Sequence, residues 1–294
     1  MKKVLASLLI SSGLVLANPV YNCFTFLNAG DLKRALEEGK KAVKLYPADP
    51  YAHSCLGKAY YESGLFDQAL ESLKRAEKLA TQEEDLMYIY NWIGGVLEKK
   101  GDYDDALEYY MRSLSVAKRK GNRKAQAARL NNIGGIYRNK GDLDRALSYY
   151  MESLELTEKE EDKATTYNNI AVIYSEKGDY SKAVEYLKKA IEIDERFGNY
   201  HGAAQRMLNL GATYIMMKDY NNATYYLKEG LTRIQKVGDK YLEAYAYGYL
   251  GWLYEDLGKI DLARDYFKKA YNLFSSIGAK ADAEVVYSEL SKLK

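Results

Sequence analysis

The chain has 294 residues, 47% of them hydrophobic and 29% charged, a composition that excludes disordered and collagen-like proteins. Its 43 lysines and arginines nearly balance 41 acidic residues, leaving a net charge of +2, so we expect no binding to nucleic acid or to an anionic membrane. The 2 cysteines and 2 histidines do not converge in position, and we expect neither a metal site nor any other cofactor.

The amino terminus has the pattern of a bacterial secretory signal peptide. Two lysines follow Met1, residues 4–16 form an uncharged apolar run, and Ala17 precedes the polar Asn18. The run is shorter than the roughly 20 residues that a permanent transmembrane helix needs. We therefore predict a signal peptide at residues 1–17, no permanent membrane span, and a mature protein that is periplasmic or secreted.

An uncleaved first helix is the alternative to a signal peptide. The pair Asn18-Pro19 argues against it, because asparagine caps a helix and proline fits its first position, which predicts a separate helix start there. Export would allow, without requiring, a disulfide between Cys23 and Cys55.

One pattern recurs seven times along the rest of the chain. Each copy centres on a short turn, at Gly30, Gly64, Gly101, Gly141, Gly178, Lys218 and Gly258. Five residues after each turn lies an alanine: Ala35, Ala69, Ala106, Ala146, Ala183, Ala223 and Ala263. Seven residues before each turn lies a small residue: Cys23, Gly57, Gly94, Gly134, Ala171, Gly211 and Gly251. These spacings predict pairs of antiparallel helices, since helices approach to about 8–10 Å only where the crossing residues are small.

This pattern resembles the tetratricopeptide repeat over roughly residues 18–280. The resemblance implies an all-α fold, a right-handed superhelix of about seven helix-turn-helix repeats. Residues 281–294 read as a first helix without its pair, which would cap the last repeat. No linker interrupts the pattern, so we expect one continuous array.

The turns are 34, 37, 40, 37, 40 and 40 residues apart, and the 40-residue form is similar to kinesin light chains, LGN-type adaptors and peptide-sensing bacterial regulators. Repeats of that length have a glycine twenty residues after their turn, at Gly121, Gly198, Gly238 and Gly278. Glycine ends helices by accepting a left-handed conformation, so we predict a longer second helix in these repeats.

No motif of an enzyme is present. The chain has no glycine-rich nucleotide loop and no His-Glu-x-x-His sequence. His53 and Cys55 lie two apart on a predicted helix and cannot face each other, so His53 is interpreted as a core residue. We expect a non-enzymatic protein.

Candidate binding residues lie nine and ten positions before the turns. On the superhelices that this chain resembles, the ninth position faces the concave groove, and rows of asparagine there hold the backbone of an extended peptide. The predicted groove residues are Asn91, Trp92, Asn131, Asn132, Asn168, Asn169, Asn209 and Tyr249. The alternative is that the amides only bond neighbouring helices. The carboxylate clamp of chaperone adaptors needs a set of groove lysines and arginines, of which only isolated candidates, Lys58 and Arg138, are present.

These observations predict an exported scaffold that binds a protein or peptide partner in its concave groove. A structural or assembly subunit of a cell-envelope complex, in a secretion, pilus or outer-membrane system, is the first alternative. An intracellular peptide-sensing regulator is the second, if the signal peptide is false. The identity of the partner and any self-association stay open.

Overall fold

The structure, a computed structural model, describes residues 18–293, and every regular element among them is an α-helix. The all-α prediction is confirmed. Contacts divide the chain into two compact units, the first ending at Gly141 and the second beginning at Asp142. The predicted signal peptide at residues 1–17 lies outside the described residues. Within 18–293, no helix is long and apolar enough to cross a bilayer.

The described part of the first unit, residues 18–141, contains seven helices. They are α1 Pro19–Asn28, α2 Leu32–Leu45, α3 Pro50–Glu62, α4 Phe66–Leu79, α5 Glu83–Lys100, α6 Tyr103–Arg119 and α7 Arg123–Asn139. The predicted start of α1 is confirmed: Asn18 caps it by accepting from the backbone N–H of Val20 at 2.9 Å, and Pro19 occupies its first turn.

The second unit contains eight helices. They are α8 Leu143–Leu156, α9 Glu160–Glu176, α10 Tyr180–Arg196, α11 Tyr200–Met216, α12 Tyr220–Val237, α13 Lys240–Asp256, α14 Ile260–Ser276 and α15 Lys280–Lys292. In the repeats that lie wholly within one unit, the first helix packs against the second helix that follows it. The last helix, α15, buries Ala283 and Val286 against the repeat before it but leaves Val285 and Tyr287 more than half exposed.

The small residues lie where the helices of a pair cross. All seven alanines that follow the turns have no exposed surface. A Cβ atom built on Gly211 would lie 2.6 Å from Cγ of Leu227, and one built on Gly251 would lie 2.6 Å from Cδ1 of Phe267. These glycines are therefore required by close packing, as the repeat pattern predicts.

Helix lengths follow the glycine that ends them. The second helices of the shorter repeats, α2, α4 and α8, have 14 residues each. The second helices that precede Gly121, Gly198, Gly238 and Gly278 have 17 or 18 residues. Gly238, with φ 82°, ends α12 in the left-handed conformation. The predicted lengthening is confirmed.

Cys23 and Cys55 form a disulfide that joins α1 to α3. The sequence alone allowed this bond without requiring it. Both residues are fully buried in the core of the first unit. His53 is also buried, and its Nε2 lies 2.9 Å from the carbonyl oxygen of Pro47, as expected of a core histidine.

Candidate functional site

The predicted binding residues all lie on first helices. In the first unit they are on α5 and α7, and in the second they are on α9, α11 and α13. We call the surfaces that these residues form the first-helix faces of the two units. Every predicted residue there is partly buried, between core and solvent.

Asparagines on adjacent first helices bond each other in the first unit. The side-chain Nδ2 of Asn132 on α7 donates to Oδ1 of Asn91 on α5 at 3.0 Å. Trp92 follows Asn91, and its ring meets the ring of Tyr61 edge-on with centroids 5.6 Å apart. The ammonium nitrogen of Lys58 lies 4.9 Å from the centroid of the Trp92 ring, at cation–π distance.

The second unit repeats this arrangement. The side-chain Nδ2 of Asn209 on α11 donates to Oδ1 of Asn168 on α9 at 2.9 Å. Asn131 and Asn169 occupy the corresponding positions and also have interaction partners. Helix-to-helix bonding, the alternative interpretation of the amide row, is therefore observed for two pairs. These bonds leave each amide with further hydrogen-bonding capacity, because one amide offers two donors and two acceptor lone pairs.

A cavity of about 420 Å³ opens on the first-helix face of the second unit. It lies between α9, α11 and α13, and Leu187 of α10 contributes to its wall. The residues that line it are mainly apolar: Ala171, Val172, Ser175, Glu176, Leu187, Asn209, Ala212, Thr213, Ile215, Met216, Tyr249, Trp252 and Asp256. Two predicted site residues, Asn209 and Tyr249, are thus brought together in one cavity, while the other six lie outside its lining.

Trp252 lines the cavity beside Tyr249, with ring centroids 5.7 Å apart. These two rings continue a row that begins at Tyr241 and Tyr245 on the same helix. Steps of four, four and three residues place all four rings on one side of α13. That spacing is visible in the sequence and could have identified the row.

Two tyrosines of this row, Tyr245 and Tyr249, remain neutral. Burial raises the pKa of Tyr249. Burial also raises the pKa of Tyr245, whose hydroxyl donates to Oδ1 of Asp282 on α15 at 2.7 Å. Tyrosine already titrates near 10, so raised pKa values keep these hydroxyls protonated and able to donate.

Two carboxylates line the cavity. Glu176 ends α9 and Asp256 ends α13. Burial, followed by repulsion from Glu289 and Asp256, raises the pKa of the neighbouring Glu255. Negative charge at this end of the cavity favours a ligand that brings backbone N–H groups or a cation.

Metal ligands are not clustered in the part of the chain from 18 to 293, where no three histidine, cysteine or acidic side chains come close enough to share an ion. The cavity therefore offers apolar surface, an amide and hydroxyl donors. Such a set suits binding and positioning.

Comparison with known proteins shows the same repeat throughout. The tetratricopeptide repeat family matches residues 85–159, 126–196, 162–236 and 200–276, and a further TPR repeat is matched at 25–64. A TPR repeat-containing protein of Methanocaldococcus jannaschii is 31% identical over 86 residues, which cover 29% of this chain and 14% of that protein.

Solved structures share the fold at low sequence identity. The apo form of RapI is similar with a TM-score of 0.73 and 16% identity, over 89% of this chain and 98% of that one. A Rap protein complexed with competence and sporulation factor is similar with a TM-score of 0.68 and 16% identity, over 99% and 90% of the two chains. The family matches extend over more than half of the sequence, and the chain therefore belongs to the tetratricopeptide repeat family.

Proposed function

We propose that this protein is an exported, non-enzymatic scaffold that binds an extended segment of a partner protein on its first-helix faces. The cavity between α9, α11 and α13 carries this proposal, because it combines an apolar wall with the amide of Asn209. Tetratricopeptide repeats generally bind protein partners and are generally not enzymes. The solved Rap complex supports the proposal, since a protein of this fold has been captured with a factor bound.

The size and chemistry of the cavity suit a side chain with its flanking backbone. A volume of about 420 Å³ is at the lower end of the range of about 300–1,000 Å³ that ligand pockets occupy. Burying one leucine-sized side chain contributes about 1.5–3 kcal/mol. Each amide bond to the backbone adds only about 0.5–1.5 kcal/mol, so several contacts must act together.

Filling the cavity tests this proposal. Ala212, on its wall, is replaced by Phe, and Asn221, exposed on α12, is replaced by Phe as the matched control. Peptides are first selected on the wild-type protein from a displayed random library. We expect Ala212→Phe to lower the affinity of peptides that place a side chain in the cavity by at least about tenfold, because that side chain is no longer buried.

Asn221→Phe should bind those peptides like the wild type, and the melting temperatures should show that both variants are folded. If Ala212→Phe distorts the helix pair, the smaller Ala212→Leu provides the same test. Unchanged affinity of every selected peptide for a folded cavity variant would contradict the proposal.

Export is the second part of the proposal. The disulfide between Cys23 and Cys55 supports it, because disulfides persist in oxidising compartments. We expect the mature protein, expressed with its own amino terminus in a bacterial host, to begin at Asn18 when its mass is measured. A mass that includes Met1 would contradict export and favour an intracellular regulator instead.

A structural subunit of an envelope assembly is the second candidate function. One observation favours it: Val285 and Tyr287 on α15 are 55% and 58% exposed, which leaves apolar surface on the final helix. In that case the partner would be retained by the Ala212→Phe variant and lost when Val285 and Tyr287 are replaced by Ser.

A further inference from the structure

Two buried arginines occupy the same position of two different repeats. Arg129 lies twelve residues before the turn at Gly141, and Arg206 lies twelve residues before the turn at Lys218. They are only 7% and 6% exposed. The two sites differ in what surrounds the guanidinium group.

In the second unit the guanidinium of Arg206 is neutralised. Its Nε lies 2.8 Å from Oδ2 of Asp194 on α10, inside the core, and charge rather than an aligned hydrogen bond holds this pair. One terminal nitrogen donates to the carbonyl of Gly202 at 3.1 Å, and the other donates to Oγ1 of Thr165 at 3.2 Å. Asn199 in turn donates to Oδ1 of Asp194 at 2.8 Å, which helps to hold the carboxylate against the guanidinium.

In the first unit the aspartate is missing. The position that corresponds to Asp194, sixteen residues after the turn, is Ala117, which is completely buried. The Nε of Arg129 donates instead to the hydroxyl of Ser113 at 2.8 Å, and that hydroxyl donates to the carbonyl of Met87 at 2.6 Å. No carboxylate among residues 18–293 pairs with Arg129.

Among residues 18–293, the terminal nitrogens of Arg129 have no hydrogen-bond partner. Atoms that are both sealed from solvent and without a hydrogen bond occur, in the described chain, only in the pair of Asp194 and Arg206. The end of the Arg129 side chain therefore keeps access to solvent although most of its surface is buried. Burial lowers the pKa of Arg129, and electrostatic interaction with Tyr88 and Tyr110 opposes this effect.

This unpaired charge lies beside the amide pair of the first unit. Arg129 and Asn132 are three residues apart on α7, and Tyr88 and Asn91 are three apart on α5, so each pair shares one side of its helix. Asn132 bonds Asn91, and Arg129 and Tyr88 lie one turn earlier on the same two helices. A segment held at the amides would therefore pass next to the guanidinium.

We infer that Arg129 is the receptor for a carboxylate, the side chain of Asp or Glu, in a segment bound on the first-helix face of the first unit. This inference rests on the proposed function and specifies the chemistry of the segment. A guanidinium and a carboxylate match as a bidentate, charge-assisted pair. One arginine balances the single charge of a carboxylate, whereas a phosphate with a charge of about −1.5 to −2 would leave negative charge in a mostly buried site.

The first experiment observes the Arg129 side chain directly by NMR. The Nε–H resonance of Arg129, assigned through its loss in Arg129→Lys, is followed by NMR during titration with N-acetylglutamate N-methylamide at constant ionic strength. The glutamine analogue, which is neutral and of similar shape, is the control. We expect a saturable shift with the glutamate analogue only. Equal responses, or no saturable response in the wild type, would overturn the inference.

The second experiment supplies the missing counterion. Ala117→Asp rebuilds in the first unit the pairing that Arg206 has with Asp194, and Arg129→Gln removes the charge without adding volume to the core. On a positional octapeptide library we expect the wild type to enrich Asp and Glu at one position. Both variants should lose that enrichment, with about ten- to hundredfold weaker binding of the acidic peptides.

The outcomes separate this inference from the proposed function. Acidic enrichment that persists in folded Arg129→Gln, or a preference for phosphoserine over Asp and Glu, overturns the assignment to a carboxylate. If no library peptide binds the wild type, the proposed function fails, and the NMR titration still decides whether Arg129 receives a carboxylate.

Discussion

At the scale of single residues, two glycines on one helix have opposite roles. Gly251 and Gly248 both lie on α13, three residues apart. A methyl group on Gly251 would approach the ring of Phe267 to 2.6 Å, whereas a methyl group on Gly248 would meet nothing within 4 Å. Sequence periodicity distinguishes them as well, since only Gly251 occupies the crossing position of the repeat.

These glycines give a matched pair of stability measurements. Gly251→Ala should lower the free energy of unfolding by about 1–3 kcal/mol, because Phe267 must move to make room. Gly248→Ala should leave it unchanged or raise it by about 0.5–1 kcal/mol, because alanine restricts the unfolded chain and favours the helix. Chemical denaturation measures both, and equal effects would contradict the packing assigned to the crossing.

The amides of Asn132 and Asn209 have an observed role in helix packing and a proposed role in binding. Asn132 and Asn209 each bond an asparagine on the preceding first helix while remaining partly exposed. Replacing them by alanine would therefore disturb helix packing as well as any ligand. The cavity wall at Ala212 and the charge at Arg129 are better places to test binding, since neither substitution removes an amide bond.

At the scale of elements, the disulfide fastens the first helix to the rest of its unit. The helix α1 has 10 residues and is the first helix of the described chain. Cys23 and Cys55, separated by 32 residues, tie it to α3. Covalent attachment offsets the tendency of a short terminal helix to fray.

Removal of this link should destabilise the first unit selectively. Cys55→Ala removes the bond, and the chain-entropy estimate for a loop of this length is a loss of about 3–4 kcal/mol in the free energy of unfolding. Hydrogen exchange should accelerate at α1 and α2 first, with little change at α13 and α14. Uniform acceleration through both units, or none, would contradict this assignment.

At the scale of the whole molecule, the two units carry different chemistry on the same repeat. The second unit presents an apolar cavity with the carboxylates of Glu176 and Asp256 at its lining. The first unit has the uncompensated guanidinium of Arg129 beside its amide pair. The cavity variants test the feature of the second unit, and the arginine variants test that of the first unit separately.

Much of the architecture could be predicted from the sequence. Helix pairing follows from glycine and alanine at the crossing positions, and the length of each second helix follows from the position of its terminal glycine. Both depend on residues close in the chain, where spacing alone decides which side chains meet. The start of α1 at Asn18 and Pro19 was readable for the same reason.

The binding features depended on tertiary structure. The cavity assembles Ala171, Asn209 and Asp256 from three helices, and only their packing shows that the space between them stays open. Arg129 and Arg206 occupy equivalent positions in the sequence. Asp194 on a neighbouring helix neutralises Arg206, whereas the equivalent residue for Arg129 is Ala117, which carries no charge. Periodicity locates a side chain on its own helix, but charge compensation and open volume are set by what neighbouring helices place against it.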